Sequence, residues 1–520
     1  MGEDGIIPSL PRNLRAARVG ETRTARPNTW SEPDLYILAD EDLIETCSGA
    51  IRRLCPIEKS PNPVLVPDKP WEGARPDGPA DSLQDPFYGT VLWDPASGCF
   101  RCWYNAYDRR QNRVCSPPIA DQGHACCYAV SADGIDWEKP DLSLVLHEGS
   151  YNNNIVRFRG IRTQGSSNLG EQAWNVLPYG VSDGEDRFVA SLFTQFEDPI
   201  FPTGTTVCYS PDGINWRMRY PPVLGLEGDC HGMNWDPVSG CFLLTTRSHE
   251  YANLCRRWGH EWRRHIALFR SRDLEHWTAA ATILEVDDKD PADAQLYLMY
   301  IIPYGHAYLG QLLMFYGHEP VLENQLALSR DLLNWQRVGG RQPVMARGSD
   351  GDWDSKHVAL THNPPVPEGD LMRFWYGGKD RPHYQAGFGA MVTGTLRRYG
   401  FVCVDAAGGE AVVTTIPFRP PRPNAATWIA INADASDGEV AVEITDTEGN
   451  AIDGVTREDC FPVRGNHIRE IVSFKAGPGS YHYRGNFLRF DRNIRLRFYL
   501  RNARLFAFKL PSYEPMWPAA

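Results

Sequence analysis

The sequence predicts an all-β protein, a five-bladed β-propeller followed by a β-sandwich domain. Three observations carry that expectation. A turn of the form Ser-x-Asp-x-x-x-Trp occurs four times, as Ser131-Ala-Asp-Gly-Ile-Asp-Trp137, Ser210-Pro-Asp-Gly-Ile-Asn-Trp216, Ser271-Arg-Asp-Leu-Glu-His-Trp277 and Ser329-Arg-Asp-Leu-Leu-Asn-Trp335. The start-to-start spacings of 79 (210−131), 61 (271−210) and 58 (329−271) mark one recurring unit. Units of this size cannot bury their own faces and form closed arrays. Finally, short alternating apolar runs bounded by Gly, Pro, Asp and Asn recur throughout, with no long amphipathic helical pattern.

Each turn follows an apolar strand, at residues 124–130, 205–209, 264–270 and 324–328. The turn Asp accepts from backbone N–H groups, which Gly or a small polar residue keeps close. The Trp supplies a large apolar plate that can pack between neighbouring units. One Asp-Gly alone signals only a hairpin. Four turns in register, each ending in Trp, specify a blade.

Residues 1–33 are polar, rich in Arg, Pro and Gly, and read as an N-terminal arm. The propeller is expected over 34–406. Its first part, 34–56, mixes strand and short-helix character, and 61–71, with four prolines, reads as an extended lead-in to the first blade. Five units then pair an opening strand with an aromatic-rich second one: 87–93 with 100–104, 174–181 with 187–195, 231–235 with 241–247, 294–303 with 308–316, and 356–362 with 371–376. The last unit ends in Leu396-Arg-Arg-Tyr-Gly400 rather than the Trp turn, a variant expected where a ring closes. After Ala407-Gly-Gly409 the rhythm stops, and short strands between 412 and 509 predict a sandwich over 407–520.

Bulk properties exclude several classes. A net charge of −12 with no Lys/Arg run argues against nucleic acid. No run approaches the ~18 apolar residues of a membrane helix, and the first residues lack a leader pattern. Several of the 13 cysteines, among them Cys102, Cys127, Cys208, Cys241 and Cys403, lie in apolar strand patterns. Buried thiols of this kind suit a reducing, cytoplasmic location. Cys99-Phe-Arg-Cys102 lacks a second such pair and reads as core. His260-Glu-Trp-Arg-Arg-His265 points its rings to opposite strand faces, so no catalytic zinc is expected. With no phosphate-cradling Gly motif, no cofactor is expected, although structural calcium in a propeller channel is left open. The expected partner is a small-molecule or oligosaccharide substrate, with no nucleic acid and no membrane; assembly into a homo-oligomer is left open.

The Trp turns, the Trp71-Glu72 lead-in, the Gly89-Thr-Val-Leu-Trp-Asp94 strand and Asn432-Ala-Asp-Ala-Ser resemble one known group. These are bacterial proteins related to the five-bladed propeller glycoside hydrolases: invertases, levansucrases, arabinanases and β-xylosidases. The resemblance covers about residues 35–511 and is one of blade rhythm; the invertase Asn-Asp-Pro-Asn-Gly, Arg-Asp-Pro and Glu-Cys signatures are absent as such. The turns also resemble the sialidase Asp-box. The resemblance implies a glycoside hydrolase acting on a chain end, and places Asn175 where the group often holds a second-blade Asp.

Glycoside hydrolysis needs two carboxyl groups, one to protonate the leaving oxygen and one to activate water or attack carbon. In a propeller, acidic residues before the inner strands converge from different blades. The catalytic candidates are Asp85 as base or nucleophile and Asp229 as its partner, with Glu72 or Asp354 as the acid. Candidates for substrate binding are the aromatic Trp174 and Trp353, then Asn175, His231, Asp293, Lys356 and His357, and Arg247 at the end of a second strand. The alternatives are a non-catalytic carbohydrate-binding or scaffold propeller, and glycosyl transfer to an acceptor other than water.

Overall fold

The computed structural model describes residues 30–74, 89–107, 124–147, 149–159, 175–179, 186–194, 204–219, 222–224, 230–247, 263–383, 385, 387–406, 408–420, 422, 427–475, 488–511 and 514–516. Among them there is no α-helix, only single 3-10 turns such as Glu41–Leu43 and Pro70–Glu72. The protein is all-β. No described helix is long and apolar enough to cross a membrane.

Successive antiparallel meanders follow one another along the chain. The first comprises Gly89–Asp94, Cys99–Tyr107, His124–Ser131 and Trp137–Glu138. Asn175–Pro178, Phe188–Thr194, Gly204–Ser210 and Asn215–Met218 make the second, with Arg157–Arg159 added in parallel at its outer edge. The third runs His231–Asp236, Cys241–Arg247, Ile266–Ser271, Ala281–Leu284. Ala294–Gly305, Ala307–Tyr316, Val321–Ser329 and Gln336–Arg337 then make the fourth. The fifth has His357–Leu360, Leu371–Lys379 and Gly389–Arg397, and a single parallel bridge, Leu322 to His357, joins it to the fourth.

The outermost strand of that fifth group comes from far upstream. Glu58–Lys59 pairs with Gly394 and Thr395, and Leu65 bridges to Met391. The proline-rich lead-in therefore runs along the last group at Leu65 before it reaches the first, where Lys139 donates to Val66 O at 2.7 Å. The chain leaves the fifth group after Gly389–Arg397 and would abandon that strand's open edge, which the upstream segment covers.

The turns behave as their chemistry requires. In all four, the Asp carboxylate accepts from the backbone N–H groups two and three residues on, at 2.7–2.9 Å. The Ser hydroxyl donates to that carboxylate at 3.0–3.1 Å. The fourth residue of each turn has positive φ: Gly134 (77°), Gly213 (79°), Leu274 (63°) and Leu332 (69°). Which residue sits there depends on the neighbouring sheet. Trp103 of the first sheet donates its indole N–H to Gly213 O at 2.6 Å, and Trp375 of the fifth does the same to Gly134 O at 2.9 Å. A Cβ at either glycine would lie 2.7 Å from the tryptophan ring. Where the neighbour is smaller, leucine fills the gap despite its backbone cost: Leu274 packs with Val189 and Val207, and Leu332 with Leu243.

Polar side chains link one group to the next. Val176 N–H donates to Thr90 Oγ1 at 3.1 Å. Asn175 donates to His231 O at 2.9 Å and accepts from Met233 N–H at 3.2 Å. Asn234 donates to Ile301 O at 2.9 Å, and Asn324 accepts from Leu360 N–H at 2.7 Å. Asn363 then accepts from Val91 N–H at 2.9 Å, and His362 N–H donates to Gly89 O at 2.8 Å. The links thus run from each group to the next, and from the fifth back to the first.

Nine of the remaining strands form one sheet ordered Ile44–Ser48, Glu410–Thr415, Arg495–Arg501, Ala430–Thr445, Arg504–Lys509, Val402–Asp405 and Ile51–Leu54, with Leu35–Ile37 and Val463–Ile471 on side branches. Ala430–Thr445 pairs with Arg504–Lys509 through its first half and with Arg495–Arg501 through its second. At its bend, a Cβ on Gly438 would lie 1.8 Å from Arg501 O. Val404, Val413, Ile431, Val442, Phe498 and Phe508 are part of the core here. Residues 35–54, which the sequence suggested as the front of the repeating region, pair with this C-terminal sheet. Asp40 ties it to the fourth group: buried, it accepts from Arg330 at 2.7 and 2.9 Å and pairs with His306 at 2.7 Å.

Candidate functional site

In each meander the start of the first strand, the end of the second and the start of the third share one end. The opposite end carries the tight Trp turns and the hairpins at 94–99 and 236–241. Residues 108–123 and 248–262, between the second and third strands of the first and third meanders, lie outside the described residues. The shared starting end gathers basic and aromatic side chains from three groups.

Arg247, at the end of its strand and only 5% exposed, places its guanidinium 4.9 Å from the Tyr297 ring centre. Arg264 lies 5.3 Å from the same ring and 5.4 Å from that of Phe315, and donates to Gln295 at 2.5 Å. The Tyr297 hydroxyl meets His383 Nε2 at 3.0 Å. His383 stands 5.4 Å from the His357 ring, and its carbonyl accepts from the fully buried Lys379 at 3.4 Å. Burial pushes the Tyr297 phenol well above the usual range, against the pull of both arginines. Guanidinium, ammonium and imidazole donors thus stand beside aromatic faces, the groups with which proteins bind oxygen-rich ligands.

Two predicted residues, Arg247 and His357, belong to this gathering. Arg264, Tyr297, Lys379 and His383 escaped the sequence reading. Lys379 ends the second strand of its sheet as Arg247 ends its own, so the repeat register carried a signal for it. His383 lies in a loop held by its N–H to Pro320 O, and nothing in the repeat marks it.

His231 is fully buried at the start of its strand, beside Ser191 and close to His362. Burial lowers His231 to about 4 and His362 to about 3, so two neutral imidazoles share the interior with Tyr300, whose ring stacks on His362. The Asn175 side chain bonds the backbone of the third group as donor and acceptor at once. A carboxylate there could not donate to His231 O.

Asp85, Asp229 and Trp174 lie outside the described residues. Glu72 is buried and accepts from Tyr104 at 2.5 Å, from Lys139 at 2.7 Å and from two backbone N–H groups at 3.0 Å. Burial raises its pKa despite those donors. Asp354, also buried, accepts from Lys59 at 2.6 Å and from Tyr376 at 3.3 Å, latching the upstream strand to the fifth group. Trp353 stacks on Tyr376 at 6.1 Å and packs into the apolar core. Asp293 accepts from His318 N–H at 3.0 Å, and Lys356 pairs with Glu319 and Asp350 on the surface.

No protein-family profile matches the chain, and no curated protein does. Solved structures similar to it include an N-acetylgalactosamine deacetylase from F. plautii in complex with blood group B trisaccharide, at 14% identity and a TM-score of 0.43 over 65% of this chain and 96% of that one. A glycosyl hydrolase from Bacteroides ovatus matches at 13% and 0.43, over 65% and 93%. A β-1,2-mannobiose phosphorylase from Listeria innocua, in complex with β-1,2-mannobiose, matches at 13% and 0.42, over 66% and 96%. Likeness this distant transfers no activity.

Proposed function

We propose that the chain is a carbohydrate-active enzyme, a glycoside hydrolase acting on chain ends, built on a five-bladed β-propeller over about residues 58–397. The strands within 35–54 and 402–509 then belong to a C-terminal β-sandwich. The cyclic links from Thr90, Asn175, Asn234, Asn324 and Asn363 support the ring. The observation that carries the functional reading is the convergence of Arg247, Arg264, Tyr297, His357, Lys379 and His383 at one end of three meanders. Sugar-binding sites combine donors with aromatic faces in this way.

In this reading Asp85 and Asp229 remain the catalytic pair, because the sequence sets each just before an innermost strand of that same end. Glu72 and Asp354 serve as structural anchors, and the buried thiols fit a reducing cytosol. The test is a panel of chromogenic furanosides and pyranosides on the wild type, Asp85→Asn, Asp229→Asn and Arg247→Met. Turnover that falls ~100-fold or more in the variants, with melting unchanged, supports the reading. No turnover of any glycoside, by wild-type protein that still binds sugar, replaces it with a non-catalytic sugar-binding propeller. That second reading draws on the engaged state of Glu72, Asp354 and Asn175. Glycosyl transfer is separated from hydrolysis by adding an alcohol acceptor and looking for the transfer product.

A further inference from the structure

The two ends of the repeating region leave and enter the C-terminal sheet side by side. Ile51–Leu54 pairs antiparallel with Val402–Asp405, with Arg53 opposite Cys403. Just beyond the ladder, Cys55 N–H donates to Phe401 O at 2.8 Å, and the chain goes on to Glu58–Lys59 in the fifth group. The two sulfur atoms, Cys55 Sγ and Cys403 Sγ, stand 3.5 Å apart although the residues are 348 positions apart in sequence. All five meanders lie between them. Both cysteines are free thiols.

We propose that Cys55 and Cys403 form a reversible disulfide clasp that joins the two ends of the repeating region under oxidising conditions. The co-reactant is a small-molecule disulfide such as glutathione disulfide. Cys55 is half-buried and reachable, whereas Cys403 is buried, which makes Cys55 the attacking sulfur. The hydrogen bond between the two sulfurs holds the Cys55 thiol below its usual range, with Arg504 and Arg53 adding to this, while the same contact and burial push Cys403 up. The Cys55 thiolate displaces one glutathione thiolate and forms a mixed disulfide. Cys403 then attacks Cys55 Sγ, releases the second glutathione and closes the bond. Two thiol protons and two electrons pass to the two glutathione molecules, so the exchange balances.

The bond requires the sulfurs to approach from 3.5 Å to about 2.05 Å. Residues 55–57 lie outside the ladder, between two strands, and can absorb that shift. The mechanical effect follows from position. Glu58–Lys59 covers the edge of the fifth group, paired at two residues and continued by Ser60 N–H to Thr393 O and the Leu65–Met391 bridge. A covalent link beside it restrains the whole intervening chain in the unfolded state, the situation in which a cross-link stabilises most in chain-entropy terms.

The test incubates the full chain with glutathione disulfide and follows it by intact mass, peptide mapping and melting. The expected result is a loss of about two mass units, a cross-linked Cys55–Cys403 peptide and a melting midpoint raised by about 5 °C or more, all reversed by dithiothreitol. Cys55→Ser should melt like the reduced wild type and show neither the cross-link nor the rise. Cys403→Ser should stop at a glutathione adduct on Cys55. A stable Cys55 adduct in the wild type, a bond to another cysteine, or no reaction at Cys55 overturns the proposal. So does a cross-link that leaves the midpoint unchanged.

Discussion

Replacing Asp40 with Asn keeps the shape of the side chain and removes its charge. The residue accepts Arg330 through both carboxylate oxygens and His306 through one, joining the upstream strands of the C-terminal sheet to the fourth meander. Burial alone would raise its pKa, but the donors His306 and Arg330 outweigh it and hold the carboxyl at about 2, against an ordinary 3.8. Such a depression corresponds to roughly 2.5 kcal/mol of stability at neutral pH. Because the folded-state value is the lower one, that contribution is complete above about pH 4 and disappears as pH falls towards 2. Asp40→Asn also takes the buried charge partner from the Arg330 guanidinium, which keeps the more exposed Asp42 at 3.2 Å, so the total loss at pH 7 should be about 3 kcal/mol. Urea unfolding of both proteins at pH 7, 4 and 2.5 measures it. The gap between wild type and variant should be full at pH 7 and shrink at pH 2.5. A gap that stays constant over this range, or no gap at pH 7, refutes the argument.

Gly213→Val places a branched side chain where a Cβ already lies 2.7 Å from Trp103 and φ is 79°; a loss of about 2 kcal/mol or more is expected in urea melts. Asn175→Asp removes the donor to His231 O and buries a charge, so unfolding should come at least ~2 kcal/mol earlier at pH 7; a variant with unchanged stability would free Asn175 for a role in substrate binding. His231 is held neutral by burial, its pKa near 4 rather than 6.5. Protonation of the unfolded chain therefore draws stability down as pH drops from about 6.5 towards 4, and His231→Phe should flatten that slope in melting curves, whatever its effect at pH 8.

Local chemistry made part of the molecule legible. The Ser-Asp-Trp turns close their hydrogen bonds within a few residues, so Ser131–Trp137 and its three counterparts could be read without knowledge of the rest. Alternation and turn signals likewise placed strands such as His231–Asp236 and Cys241–Arg247. In the candidate site, Arg247 and His357 were readable because they sit at strand ends in a repeating register. Glu72 looked like an acid in the sequence, and only packing revealed Lys139 and Tyr104 upon it.

The sequence by itself determined the all-β character, the repeating turn and the end of the strands at which polar side chains collect, because each follows from contacts a few residues long. Tertiary structure alone decided that Glu58–Lys59 completes the fifth meander, that 35–54 joins the C-terminal sheet, and that His383 stands between Tyr297 and His357. It also brought Cys55 to Cys403. These partners are tens to hundreds of residues apart, and no local pattern encodes which open edge or which buried group a distant segment will satisfy.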